Sequence, residues 1–273
     1  MKKIIALLMS ISMLFAFAGC GGNGTSDDNS GGSAQTDSEY VKSKGSLIIG
    51  ITDFAPMDYE ETKGSGDWIG FDADMAKAFA ESLGVEARFV VIEWDNKIME
   101  LDSKSLDCVW NGMTINDEVK NGMSVSNPYC KNTQVVVVPK DKADQYQTLD
   151  SVKELQFAAE ASSAGEKALK ALGCSVTAVT AQADALLEVS SGTSEAAVID
   201  LIMAGAMIGE GTSYENLAYT VSIAEEEDYG VGFRKGSDLT EMLNEFFKET
   251  YSSGKMMEIA KTYGVQESII PQE

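Results

Sequence analysis

The stretch "WIGFDADMAKAFAESLG" (residues 68–84) sets how the rest of the chain is read. Phe71, Met75, Phe79 and Leu83 recur every four residues, which gives one apolar helix face, and Gly84 stops the helix. Asp72 stands where a side-chain cap is expected. Upstream, "SLIIGI" (46–51) is a short apolar run bounded by Gly and reads as a buried strand. "DFAPMDYEE" follows it, and Pro56 makes it a loop. Downstream, "ARFVVIEW" (87–94) is a second strand, "NKIMELDS" (96–103) a short helix and "LDCVWNGM" (106–113) a third strand. Strand, helix, strand, helix, strand, with crossovers of this length, builds a parallel sheet covered by helices.

"QVVVVP" (134–139) is a further buried strand, and a second alternating set starts after it. "QFAAE" (156–160), "SVTAVT" (175–180) and "EAAVID" (195–200) read as strands. "GEKALKALG" (165–173), "ADALLEVSSG" (183–192) and "LIMAGAMIGEG" (201–211) read as helices. "NLAYTV" (216–221) and "YGVGFRK" (229–235) close the set as strands, and two helices end the chain. In the first of these, Leu239, Leu243, Phe246, Phe247 and Tyr251 form one apolar stripe. No Pro- or Gly-rich linker divides the two sets, so the pattern predicts an α/β protein of two lobes that share a crossing region.

The chain has 273 residues, 44% of them hydrophobic, enough for a sizeable core. Its formal charge of −22 argues against a nucleic-acid partner, because phosphate binding needs Lys and Arg. There is no His, which removes His-based triads and imidazole metal sites. No cofactor or metal is expected. "MKKIIALLMSISMLFAFAGC" (1–20) has a basic start at Lys2 and Lys3 and an apolar run from Ile4 to Ala18. That run is shorter than the roughly 20 residues of a membrane span, and a secretory signal over residues 1–19 fits it better. Ala18 and Gly19 before Cys20 resemble a bacterial lipobox, with Phe17 where Leu is commoner. The resemblance implies that Cys20 is lipidated and becomes the mature N-terminus. The Gly-, Ser- and Asp-rich residues 20–44 cannot bury enough apolar surface to order themselves, so they read as a flexible tether to the outer face of the cytoplasmic membrane. Among the other cysteines, Cys108 and Cys174 look like small core residues, and Cys108 with Cys130 is the one disulfide considered.

In open parallel sheets, ligands sit beyond the carboxyl ends of strands. The residues there are Asp53 and Phe54, Trp94, Asn111, Gly112 and Thr114, Glu160, Ser162 and Ser163, and Asp200. Asp200 ends "EAAVID" and suits an ammonium; its alternative is to cap the next helix. Phe54 and Trp94 can flank a ligand body, or belong to the core. Thr114, with Asp117 three residues on, reads as a helix start, and so does "SSAGEKAL" at Ser162 and Ser163.

These motifs together resemble the polar amino-acid group of extracellular solute-binding proteins of ABC transporters. "GSLIIGITDFAPMDY", "WIGFDADMAKAFAESLG", "LDCVWNGMTI", "SVSNPY" and "AAVID" occur in that family's order and spacing over about residues 45–267. The resemblance implies a type II periplasmic-binding-protein fold, with residues 45–132 plus 229–273 in one lobe and 133–228 in the other. It also implies a monomer that closes on an amino acid or small amine and delivers it to a membrane permease. Asp200 would hold the ligand's α-ammonium, and Asn111, Gly112, Thr114 and Ser163 would contact the ligand. Phe54 and Trp94 would flank it. At one position the chain departs from the family: Val119 stands where an Arg usually clamps the α-carboxylate. "NGMTINDEVK" is then the frame of a carboxylate-gripping loop without its cation, which leaves open an amino acid held by backbone amides or an amine with no anionic end. Two other classes fit less well. A cleft enzyme would need a general acid, with Glu160 the one candidate, and a receptor sensor would need a signalling partner.

Overall fold

The computed structural model describes residues 35–273, so the expectations for the leader, for Cys20 and for the first part of the tether fall outside it. The tether does not extend to residue 44. A helix, α1 (Asp37–Lys44), begins at Thr36, whose hydroxyl accepts from the Glu39 amide while Glu39 accepts from the Thr36 amide. That reciprocal pair satisfies helix-start donors that composition does not register. Val41 is fully buried, Lys44 reaches Asp107 at 2.5 Å, and Arg234 grips Asp37 at 3.0 Å. The segment is part of the body.

The first lobe contains β1 (Ser46–Ile51), a small hairpin of β2 (Tyr59–Glu60) and β3 (Trp68–Ile69), α2 (Phe71–Leu83), β4 (Glu86–Val91), α3 (Lys97–Asp102), β5 (Cys108–Thr114), α4 (Asp117–Gly122), β6 (Ser124–Val125) and β7 (Cys130–Asn132). The hairpin lies in and after the stretch expected to be loop. The second lobe contains β8 (Gln134–Pro139), α5 (Leu149–Val152), β9 (Gln156–Glu160), α6 (Ala164–Leu172), β10 (Ser175–Val179), α7 (Gln182–Ser191), β11 (Ala196–Asp200), α8 (Leu201–Met207) and β12 (Leu217–Ser222). The chain then returns through β13 (Glu227–Phe233) to α9 (Leu239–Ser252) and α10 (Lys255–Thr262).

One sheet has the order β4-β1-β5-β13-β6, with β7 also paired to β13; the other runs β10-β9-β11-β8-β12. In the first, β1 pairs with β4 and β5 in parallel, as the alternation predicts. In the second, β9 pairs with β10 and β11 in parallel. The chain changes sheets at Thr133 and again between Ser222 and Glu227.

The α2 stripe is buried as its spacing requires, but Asp72 is not the cap. Gly70 takes the cap position, and Asp72 lies inside the helix, fully buried, accepting from the Gly112 amide and the Tyr129 hydroxyl, both at 2.7 Å. The acid therefore ties α2 to the loop end of β5. Cys108 and Cys130 are buried free thiols and Cys174 is a half-buried one, so the disulfide considered from sequence does not form.

Candidate functional site

A cleft of about 410 Å³, counting its open mouth, is lined by the strand ends of both sheets. From the first lobe come Phe54, Trp94 and Lys97, the β5 end from Asn111 to Thr114, and Asn116 with Val119 of the α4 region. From the second come Gln134, Glu160, Ser162 to Ala164, Lys167, Gln182 and Asp200.

Asp200 follows directly from its strand. The last residue of β11 is 3% exposed, and its carboxylate accepts from the amides of Asn132, Gln134 and Gln182. Gln182 also accepts the Asp200 backbone N–H at 2.8 Å. Asp200 occupies the cap position of α8 but makes no side-chain cap bond, so the capping alternative fails. Burial, then the charge of Glu227, raises its pKa to about 7 against the pull of the amide donors. Glu160, at the end of β9, is 3% exposed, and its Oε1 has no hydrogen-bond partner among the described residues. Burial and then Asp200 raise its pKa to about 8, with Thr52 and Lys97 acting the other way. No Lys or Arg of the described residues lies within 4.0 Å of either carboxyl. Two buried acids that favour protonation form a pole that favours a cation.

The cations of the cleft were not read from the sequence. Lys97, the first residue of α3, is 2% exposed; it donates to the Trp94 carbonyl at 3.0 Å and lies 4.7 Å from the centre of the Trp94 ring. Burial, then the charge of Lys167, lowers its pKa to about 8. Lys167 of α6 pairs with Glu118 of α4, a contact that joins the two lobes across the cleft.

Phe54 rests on the backbone at Gly112. A Cβ added there, at a φ of +51°, would come within 2.3 Å of Phe54 Cε1, so close contact and backbone conformation both call for glycine. Ser163 caps α6 by accepting from the Glu166 amide at 3.0 Å, as its position predicts. Ser162 holds a left-handed φ of 60° beside it, with its amide donating to Glu166 at 2.9 Å.

The pattern of the bacterial extracellular solute-binding proteins, family 3, matches residues 47–266. The chain belongs to this family. It is 29% identical to the arginine-binding extracellular protein ArtP of Bacillus subtilis over 268 residues, 96% of this chain and 98% of that one. A solved mutant of ArgBP from T. maritima superposes with a TM-score of 0.76 at 30% identity, covering 84% of this chain and 99% of the other. A Streptococcus pneumoniae amino acid ABC transporter substrate-binding protein bound to L-arginine does so at 0.76 and 25%, covering 87% and 100%. The fold is that of the type II periplasmic binding proteins.

In this solute-binding protein the structure brings Phe54, Trp94, Asn111, Gly112, Thr114, Val119, Glu160, Ser162, Ser163 and Asp200 to one cleft. Asp53 is not among them: it lines a neighbouring hollow with Glu60, Lys63 and Asp184, because it precedes Phe54 and faces the other way. Three roles change. The Asn111 side chain is taken up by Thr52 and Asp58, which leaves its backbone for the cleft. Asn116, not Thr114, caps α4, accepting from the Val119 amide at 3.0 Å. Val119 is 1% exposed and packs in a cluster with Ile92, Trp94, Leu101 and Met123. Lys97, Lys167, Gln134 and Gln182 were missed. Lys97 had one signal, its place just past the second strand, while Gln134 reaches Asp200 through the pairing of β8 with β11 and Gln182 from the start of α7.

Proposed function

We propose that this protein captures an amino acid between its lobes and delivers it to an ABC permease. The observation that carries the reading is the acid pole. Glu160 and Asp200 are both buried, neither has a Lys or Arg of the described residues within 4.0 Å, and both line one cleft. A ligand ammonium replaces the protons they would otherwise hold. The relatives named for arginine support an amino acid as the cargo. Phe54 and Trp94 flank the ligand body, and Ser163 with the backbone from Asn111 to Thr114 offers hydrogen bonds. Closure is favoured to the extent that the ligand touches both lobes better when they are shut. The chain acts by binding and not by catalysis, as a monomer held outside the cell through lipidated Cys20.

Thermal-shift screening against standard amino acids and against amines lacking a carboxylate tests this, since a ligand of the native state must raise the melting temperature. Shifts with a set of amino acids are expected. Shifts confined to carboxylate-free amines would replace the amino-acid reading with an amine carrier. Unchanged melting throughout would remove the cleft as a solute site of either kind. Mass spectrometry of the membrane-extracted protein checks the anchor, with a diacylglyceryl-modified Cys20 expected at the mature N-terminus.

A further inference from the structure

The cleft has a cation that the sequence motif does not announce. Position 119 does not supply one: Val119 is apolar, 1% exposed and part of the cluster of Ile92, Trp94 and Met123. Lys97 lines the same cleft from α3. Its ammonium has three donors, and the described residues use one of them, on the Trp94 carbonyl. No carboxylate of the described residues lies within 4.0 Å of it, whereas Lys167, the other lysine lining the cleft, is paired with Glu118. A buried ammonium with donors to spare and no carboxylate of the described residues within 4.0 Å, lining a ligand cleft, is suited to receive an anion.

We infer that Lys97 receives the ligand's carboxylate, so that the anion is held from α3 and not from α4. The inference rests on the amino-acid reading above and gives the cleft a direction: ammonium at Glu160 and Asp200, carboxylate at Lys97 and Trp94. A lysine is a point charge and does not impose the bidentate geometry of a guanidinium.

The test compares each amino acid with its α-carboxamide by calorimetry, for example L-arginine with L-argininamide and L-glutamine with L-glutaminamide, across the standard set. The wild-type protein should bind an acid roughly ten- to hundredfold more tightly than the matching amide, the range expected for a hydrogen bond to a charged group. Lys97→Met should bring the acid down to the level of the amide and leave the amide unchanged. Lys97→Arg should keep the preference for the acid. Melting of ligand-free Lys97→Met at or above the wild-type temperature checks that the variant is folded. Lys97→Met that still prefers the acid overturns the inference and makes Lys97 a structural partner of Trp94. A wild-type protein that binds acid and amide equally also overturns it, while capture through the ammonium stands. Binding of neither, in any pair, overturns the amino-acid reading itself.

Discussion

Asp200 and Glu227 share their hydrogen-bond donors. Asn132 Nδ2 and Gln134 Nε2 each donate to Asp200 Oδ1 and to Glu227 Oε1. The two amides flank Thr133, where the chain passes from one sheet to the other, and Glu227 opens the strand that brings it back. The acid assigned to the ligand's ammonium, at the end of β11, is therefore held by residues of the crossing segment. Its tendency to hold a proton comes first from burial and then from a second carboxylate, Glu227, outside the cleft lining.

Glu227→Gln tests that dependence. The amide can still accept from Asn132 and Gln134, but the negative charge beside Asp200 is gone. The Asp200 pKa should fall from about 7, and the pH at which ligand affinity is lost should fall with it. Calorimetric titration of the bound amino acid from acid to mildly alkaline pH reads the shift. An unchanged profile would show that water screens Glu227.

The ligand-free protein should become less stable as pH rises through neutrality. Glu160, Asp200 and Asp72 titrate at about 8, 7 and 7, and Asp58 is also raised, all mainly by burial. Carboxyls of the unfolded chain titrate near about 4. The folded state thus holds extra protons between these values, and stability is fully present below about pH 4 and lost as pH passes 7 to 8. Binding runs the other way, because the ammonium needs the ionised acids: affinity should rise over the same window. Glu160→Gln should flatten the fall in melting temperature and weaken ligand binding by about 3 kcal/mol, the cost of breaking a buried charge pair. Scanning calorimetry across the pH range, with and without ligand, separates the two trends.

Val119→Arg restores the residue usual in the family without restoring its surroundings. Val119 is 1% exposed and belongs to the cluster of Ile92, Trp94, Leu101 and Met123, and a longer, charged side chain overfills that cluster. Urea denaturation should show a loss of about 1–3 kcal/mol, with no gain in amino-acid affinity. Tighter binding at undiminished stability would show that the α4 face can open toward the ligand.

A body cut at residue 45 should be weaker than one starting at residue 35. The shorter form loses the buried Val41 and the partners that α1 offers to Arg234, Asp107 and Asp238. Val41 alone is worth about 1.5–3 kcal/mol of buried apolar surface. Arg234, half-paired without Asp37, adds to the loss. Melting curves of the two forms give the difference.

Much of this architecture is local. The period of the apolar residues in α2, the runs "SLIIGI" and "QVVVVP" and the repeating strand–helix order determine two α/β sets, because burying those faces admits few other arrangements. Position at or near a strand end points to Phe54, Trp94, Gly112, Glu160, Ser163 and Asp200, and all six line the cleft. The same logic misplaced Asp53 by one residue, since neighbours on an extended chain face opposite ways. It also missed the capping box at Thr36 and Glu39, although both residues are visible in the sequence. What only the tertiary structure decided is the charge balance of the cleft. That Asp200 leans on Glu227, that Asn111 is turned to Asp58, and that Lys97 supplies the cation absent at position 119 all depend on contacts between residues far apart in the chain. Periodicity carries no information about which distant side chains share a desolvated space, and desolvation is what shifts their charges.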